Sequence, residues 1–351
     1  TAVIPLAAAY MEIVFLGVPL IFGFYVFAAL MRGYGDTRTP MFVMVLSVVA
    51  NVALNPVLIF GFEGNPLFGW LGLRSFESTL HAMTGFAGMG IEGAAVATVV
   101  ARGGGTVLAF WVLFGTDIGP AVGVGHLVPD AEILEDIVRL GVPSMVEKSM
   151  SALAMIALTA IVVTFSPAVV AAYEVARRVR TLIDSFSWGF SIAASTLVGQ
   201  RLGAGDEADA EAYARGIIRL SATVYVVAAV VVFALSPWIA GVFVDDPAVI
   251  DVAAPFVAAA AVSVVFLGVD GSATGTLRGA GDTGYPFFTS LLGRYGCALP
   301  VAALGLVTSL GATALLVALV AETVVPAVLN VRRVRSNRWK AVGRAHVAAG
   351  D

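Results

Sequence analysis

The sequence predicts an all-α integral membrane protein built by internal duplication, and three observations predict it. Hydrophobic residues make up 59% of the 351-residue chain and charged residues 13%, against about 25% charged in a soluble domain. Mean hydropathy is +0.94, so the apolar surface exceeds what a water-soluble globule can hide. Stretches near the ~20 residues needed to cross a bilayer recur along the whole chain. Finally, residues 31–42, MRGYGDTRTPMF, return as residues 277–288, LRGAGDTGYPFF. The shared frame R-G-x-G-D-T-x-x-P-x-F pairs Arg32 with Arg278, Gly35 with Gly281, Asp36 with Asp282 and Pro40 with Pro286, the mark of two copies of one unit. Each copy reads as a tight polar turn between membrane helices. The glycines permit unusual backbone angles, Asp-Thr caps the next helix, and the proline falls in its first turn, where the missing N–H is harmless.

Composition also excludes several classes. A net charge of −4 leaves no nucleic-acid footprint. The single cysteine, Cys297, lies in an apolar run and reads as a packing residue, which excludes a disulfide framework or a cysteine metal cluster. No basic-then-apolar leader is visible at the start, so no signal peptide is expected.

In chain order, the first span is 5–30, feeding the first signature turn, and the second is 40–62. Ser47, Asn51 and Asn55 recur at four-residue spacing in the second span and so share one helix face. Residues 63–89, rich in Gly, Phe and Trp and holding Arg74 and His81, suit an interfacial loop or short lid. The third span, 90–114, opens on GMGIEGAAVAT, a small-residue surface for close helix packing, and holds Arg102. A polar segment, 115–134, reads as a linker running into a helix start. The fourth span is 137–165, with Pro143 and the pair Glu147-Lys148. The fifth, 167–198, carries Glu174, Arg177, Arg178, Arg180 and Asp184 ahead of an apolar second half. A glycine turn and acidic helix start, 199–215, lead into the sixth span, 217–240. The seventh is 249–277, the eighth 286–306 with Arg294, the ninth 310–329 with Glu322, and a basic tail closes the chain.

Nine transmembrane helices are therefore expected. The second unit reaches its signature turn after four helices and the first after one, so equal units require three further helices ahead of Thr1. On this reading the chain is most of a twelve-helix, duplicated two-lobe (six plus six) transporter. Its domains are 1–115, the remainder of the N-lobe (helices 4–6); 116–134, a cytoplasmic inter-lobe linker; 135–330, the C-lobe (helices 7–12); and 331–351, a basic cytoplasmic tail. Alternating the sides gathers Arg32, Arg38, Arg201, Arg215, Arg219, Arg278 and the tail's Arg332, Arg333, Arg335, Arg338, Lys340 and Arg344 on one side, against Arg74 on the other. The positive-inside rule then makes the signature turns and C-terminus cytoplasmic in a multi-pass plasma-membrane protein.

The two R-G-x-G-D-T turns, NVALNPVLIFG (51–61), GMGIEGAAVAT (88–98) and GQRLGAG (199–205) occur together in this order. In this the chain resembles the multidrug and toxic compound extrusion (MATE) family, over nearly its whole length. The resemblance implies two six-helix lobes related by a pseudo-two-fold axis along the membrane normal. It also implies a secondary antiporter exporting organic cations, drugs or metabolites in exchange for Na⁺ or H⁺. In prokaryotic members an essential acid lies on the first helix, and a polar site on the fifth helix follows an N-x-x-x-D pattern. Asn51 and Asn55 match that pattern with an amide in place of the acid, so Asn55 can coordinate or hydrogen-bond but cannot carry a titrating proton. Some branches use acids on the seventh and tenth helices, which here hold Glu147 and Asp270, although the spacing to neighbouring motifs differs.

An ionisable group in hydrocarbon is costly and is by default either functional or half of an ion pair. Asp270, two turns before Arg278 and sharing a face with Ser263 and Thr274, is the leading candidate for a cation or proton site; the alternative is a structural bond to a neighbouring helix. Glu147, with Lys148, Ser144 and Ser151, forms a polar face that serves coupling, interface snorkelling or interhelical pairing. Glu174 with Arg178, and Arg180 with Asp184, are spaced to pair along one helix, either lining a central cavity or satisfying themselves. Asn51 and Asn55 are coupling candidates or interhelical glue. Phe186, Trp188 and Phe190 either stack on flat cations or pack, while Arg102, Arg294 and Glu322 read as interhelical anchors.

No ATP-binding, triad or metal-ligand pattern appears, so no enzyme, cofactor or metal is expected beyond a coupling Na⁺ or H⁺. Partners are a small-molecule substrate and the lipid bilayer, with no nucleic acid, and a monomer is expected. Two alternatives stay open: a lipid-linked saccharide flippase of the same superfamily, favoured by Arg177, Arg178 and Arg180, and an inactive truncated membrane protein.

Overall fold

The computed structural model describes residues 3–70, 72, 74–120 and 131–350. Among them the protein is helical, with no strands. The chain divides into two compact units, 1–129 and 130–351. The expected linker falls largely on residues 121–130, outside the described residues.

The first unit holds α1 (Val3–Tyr34), α2 (Arg38–Phe60), α3 (Pro66–Trp70), α4 (Arg74–Thr84) and α5 (Ile91–Gly115). Helix α5 packs against both α1 and α2, and small residues let it approach. Gly23 faces Thr106, Gly105 faces Ser47, and Gly93 sits on the Leu58 carbonyl. The Thr106 hydroxyl donates to the Leu20 carbonyl at 2.6 Å. Phe24, Phe27, Met31, Val43, Val112 and Leu113 fill the core between the three long helices.

Residues 63–89 fold onto the end of α2. Buried Glu77 accepts the N–H groups of Gly64 and Asn65 and the Arg74 guanidinium, while the Asn65 amide donates to the Pro56 and Gly61 carbonyls. The Met89 and Gly90 N–H groups reach the Leu58 and Ile59 carbonyls. The carbonyls at the end of α2, orphaned by helix geometry, thus find donors in the loop.

The second unit holds α6 (Ala131–Val162), α7 (Pro167–Gly203), α8 (Glu207–Ala234), α9 (Ser236–Phe243), α10 (Pro247–Gly279) and α11 (Gly284–Leu291). A π-helical turn (Leu292–Ala298), α12 (Leu299–Val307), α13 (Thr313–Arg335) and α14 (Arg338–Gly350) complete it. Helix α10 is the central post, packed against α7, α13 and α8. Gly271, Gly275 and Gly279 of α10 meet Ser187, Ser191 and Ser195 of α7, so that a methyl at any of the three glycines would overlap α7. This is the small-residue seam by which helices associate in lipid, where backbone approach and packing replace the hydrophobic effect. The π turn precedes Pro300, whose ring displaces the carbonyl four residues back and widens the preceding turn.

Three turns share one backbone closure. Gly35 N–H bonds the Arg32 carbonyl and Asp36 N–H the Met31 carbonyl; Gly281 and Asp282 repeat this on Arg278 and Leu277, and Gly205 and Asp206 on Leu202 and Arg201. This double closure ends a helix on a left-handed residue, which explains glycine at Gly35 (φ 100°) and Gly281 (φ 79°).

Eight helical segments among the described residues are long and apolar enough to cross a membrane, the stretch from α11 to α12 counting as one. The sequence reading expected nine. Helix α7 stands where the additional span was expected, but its first half carries the charges from Glu174 to Asp184 and its second half, rich in serine and glycine, is not apolar enough to count.

Candidate functional site

Polar side chains concentrate at mid-height in the second unit, between two apolar clusters. One cluster, around Tyr173, Phe256 and Leu315, closes the end where α7 begins. The other, around Leu202, Leu277 and Trp339, closes the end where α7 and α10 finish. Between them lie two cavities. The larger, about 450 Å³, is lined among others by Glu147, Asp184, Trp188, Asp270, Thr274 and Arg278. The smaller, about 270 Å³, is lined by Tyr173, Arg177, Arg180, Asp184 and Glu322 with an apolar wall that includes Leu158 and Leu319. Thr181, Asp184 and Arg294 line both.

The charges in these walls are satisfied in two ways. Glu322 of α13 receives Arg180 of α7 at 2.8 Å and Arg294 of the π turn at 3.3 Å, and Arg294 also donates to the Ser290 hydroxyl. Glu147 of α6 receives Arg278, the signature arginine of the second copy, at 2.7 Å. By contrast, neither Asp270 nor Asp184 has an arginine or lysine within ion-pairing distance among the described residues. Asp270 is held by a neutral relay instead. The Asn330 amide donates to it at 2.8 Å and to the Thr274 hydroxyl at 3.2 Å, while the Asn330 oxygen accepts from Thr289 at 3.0 Å.

Asp270, Thr274, Glu147 and Asp184 thus come together on one cavity. Glu174 lines neither cavity and fixes Arg177, which lines the smaller one, at 2.7 Å. The spacing suggested Glu174 with Arg178 and Arg180 with Asp184. The structure pairs Glu174 with Arg177 and turns Arg180 to Glu322, leaving Arg178 exposed and outside both cavities. A carboxylate on another helix, buried against Arg180, outcompetes one on the same helix because it shares a drier environment. Ser263 is buried and bonds its own helix at Ala260, away from Asp270.

In the first unit Asn51 and Asn55 lie on the seam with α5. Ser47 donates to the Ala101 carbonyl at 2.9 Å, Asn51 donates to Thr98 at 3.4 Å, and Asn55 donates to Asn51 at 3.0 Å. This stripe contains no charge. Arg102 makes no ion pair among the described residues. Trp188 lines the larger cavity, whereas Phe190 packs on Tyr225 with ring centroids 6.2 Å apart.

The residue that sequence reasoning missed is Asn330. Its signal was available: one amide in the apolar run TVVPAVLNV, a rare choice at that depth unless it bonds across helices. The importance of Arg294 was also understated, because nothing in its spacing reveals that it lines both cavities.

A family model described as MatE matches residues 1–57 and 143–304. The chain is 28% identical over 281 residues to the probable multidrug resistance protein NorM of Thermotoga maritima, covering 79% of this chain and 55% of that protein. To the probable multidrug resistance protein YoeA of Bacillus subtilis it is 26% identical over 312 residues, covering 86% of this chain and 61% of that protein. The chain thus spans less than two thirds of the length of these relatives. Among solved structures it is similar to MATE in a straight conformation, with a TM-score of 0.81 at 20% identity over 96% of this chain and 70% of that one. It is similar also to a MOP superfamily transporter from Pyrococcus furiosus, described by a binding pocket of reverse polarity, with a TM-score of 0.78 at 20% identity over 95% of this chain and 70% of that one. These likenesses show a common fold. The family match covers more than half of the chain and takes in both signature turns, and on that ground the protein belongs to the multidrug and toxic compound extrusion (MATE) family of transporters.

Proposed function

We propose that this protein is a secondary antiporter that exports organic cations, drugs or metabolites in exchange for Na⁺ or H⁺ by alternating access. The observation that carries the reading is the pair of aspartates, Asp184 and Asp270, facing one cavity without a cationic partner, beside two glutamates that arginines already neutralise. A carboxylate left unpaired in a membrane interior binds a proton, a sodium ion or a cationic substrate in turn, and competition between them is what couples an exchange. Asp270 is the coupling group and Thr274 a neutral ligand beside it. Asp184, shared by both cavities, meets the substrate, and Glu147 with Arg278 is the interhelical tie at the rim.

The multidrug resistance relatives support the export direction. The lobe assignment is 1–115 for the N-lobe, 116–134 for the linker, 135–330 for the C-lobe and 331–351 for the tail, with α7 as a ninth span and six helices per lobe in the family plan. Arg333 bonding Asp282, and Lys340 and Arg344 reaching Glu211 and Glu207, gather the second signature turn, the start of α8 and the tail at one end of the unit. That grouping supports a cytoplasmic face for all three. The protein works as a monomer without a cofactor.

The test is efflux of a fluorescent organic cation from liposomes holding the full-length protein, under an imposed Na⁺ or H⁺ gradient. Asp270→Asn keeps an oxygen for the Asn330 amide but cannot ionise, so efflux falls to background while the protein stays folded. Asp184→Asn raises the cation concentration needed for half-maximal efflux. Wild-type rates in Asp270→Asn would remove coupling from this cavity.

A further inference from the structure

The last turn of α13 carries three arginines, and the structure uses them differently. Arg333 turns inward to Asp282 at 2.9 Å and over the Tyr285 ring, 5.0 Å from its centroid. Arg332 and Arg335, one turn apart, point outward, are exposed, and form no ion pair among the described residues. Both stand at one end of an open trough of about 490 Å³ between α10 and α13. Its walls are otherwise apolar: Val265, Phe266 and Val269 on α10, and Ala327, Val328 and Val331 on α13. Val328 is 55% exposed. The trough therefore joins a hydrocarbon-lined length to a doubly cationic end, and from Val328 to Arg335 it follows α13 for roughly 10 Å.

We propose that this trough is a binding site for an anionic glycerophospholipid, with one acyl chain lying along the valines and the phosphate held between Arg332 and Arg335. Charge and shape argue together. Bulk lipid satisfies the apolar wall by itself, but a pair of outward arginines without carboxylates calls for an anion, and basic pockets between membrane helices recognise acidic head groups in this way. A zwitterionic lipid offers the same chain but places its own ammonium group beside the two guanidinium groups. The site lies on a face of α10 and α13 whose residues line neither polar cavity, so it is independent of the transport reading.

Native mass spectrometry of the full chain in mild detergent tests it, with phosphatidylglycerol and phosphatidylcholine of identical chains added in turn. Wild type retains phosphatidylglycerol in preference to phosphatidylcholine. Arg332→Gln and Arg335→Gln each weaken that retention about fivefold, and the double variant abolishes the preference. Val328→Trp, which fills the trough at an exposed position and leaves both arginines, also lowers retention, separating a seated chain from charge attraction alone. Equal retention of the two lipids by wild type, or unchanged phosphatidylglycerol retention in the double glutamine variant, overturns the proposal.

Discussion

The two copies of the signature turn have the same backbone and different side-chain chemistry. In both, the second glycine adopts positive φ and the following aspartate N–H closes onto the carbonyl five residues back. Asp36 then caps α2, accepting the N–H groups of Arg38 and Thr39 and the Thr39 hydroxyl. Asp282 forgoes capping and binds Arg333 of α13. The helices that follow diverge further. Helix α2 runs unbroken with a neutral polar stripe, whereas the corresponding stretch of the second copy is interrupted by the π turn. The offset that aligns Pro286 with Pro40 puts Arg294 where the first copy has Val48. The two turns share what the backbone needs to turn, while the charged pairs gather around the second one.

That contrast can be broken most forcefully at Glu322. Removing it by Glu322→Ala strands Arg180 and Arg294 without their carboxylate, at an expected loss of about 3–5 kcal/mol. Asn51→Ala, in the neutral stripe of the first copy, costs about 0.6 kcal/mol. Unfolding in detergent, followed by circular dichroism, ranks the two; equal losses would mean that the charged network is no more structural than the amide stripe.

Packing offers a second, smaller contrast. Gly275→Ala drives a methyl into the Ser191 backbone, and an expected loss of about 1–3 kcal/mol follows from overpacking a seam that cannot open locally. Gly104→Ala, in α5 with nothing near its added methyl, leaves the melting temperature unchanged or slightly raised. A tolerated Gly275→Ala would show that α7 and α10 yield more easily than their seam suggests.

The last contrast belongs to the first turn. Asp36→Ala removes the cap of α2, worth about 1 kcal/mol. Hydrogen bonds from the Thr39 side chain and backbone hold the Asp36 carboxyl below its usual range. Its contribution is therefore fully present above the ordinary aspartate value of about 3.9 and is lost as pH falls through the lower folded value. Amide hydrogen exchange at Arg38 and Thr39 in wild type should accelerate, relative to Asp36→Ala as baseline, only in that acidic window. Protection independent of Asp36 would place the cap elsewhere.

Much of the fold was legible in the sequence because membrane helices carry their own signal. Apolar length announces them, and the turn at 31–42 returns with the same backbone closure at 277–288. Helix–helix partners were less legible, since a seam such as Gly271, Gly275 and Gly279 is meaningful only beside Ser187, Ser191 and Ser195 on a helix about 80 residues earlier. The candidate site shows the same limit. Asp270, Thr274 and Glu147 could be singled out by the cost of a polar group at that depth. Their partners could not, because Asn330, which bonds Asp270 and Thr274, and Arg278, which pairs with Glu147, are chosen by the tertiary fold. Spacing along α7 suggested local pairs, yet Arg180 bonds a residue 142 positions away.

The glycine–serine seam has a practical consequence. With backbone against backbone along three successive turns, α7 and α10 cannot slide or part without losing the whole interface, so they behave as one piece. Spin labels at Leu182 and Val262, both exposed, would keep a constant separation whatever the rest of the unit does. They would furnish an internal ruler against which displacements of α6 or the π turn can be measured.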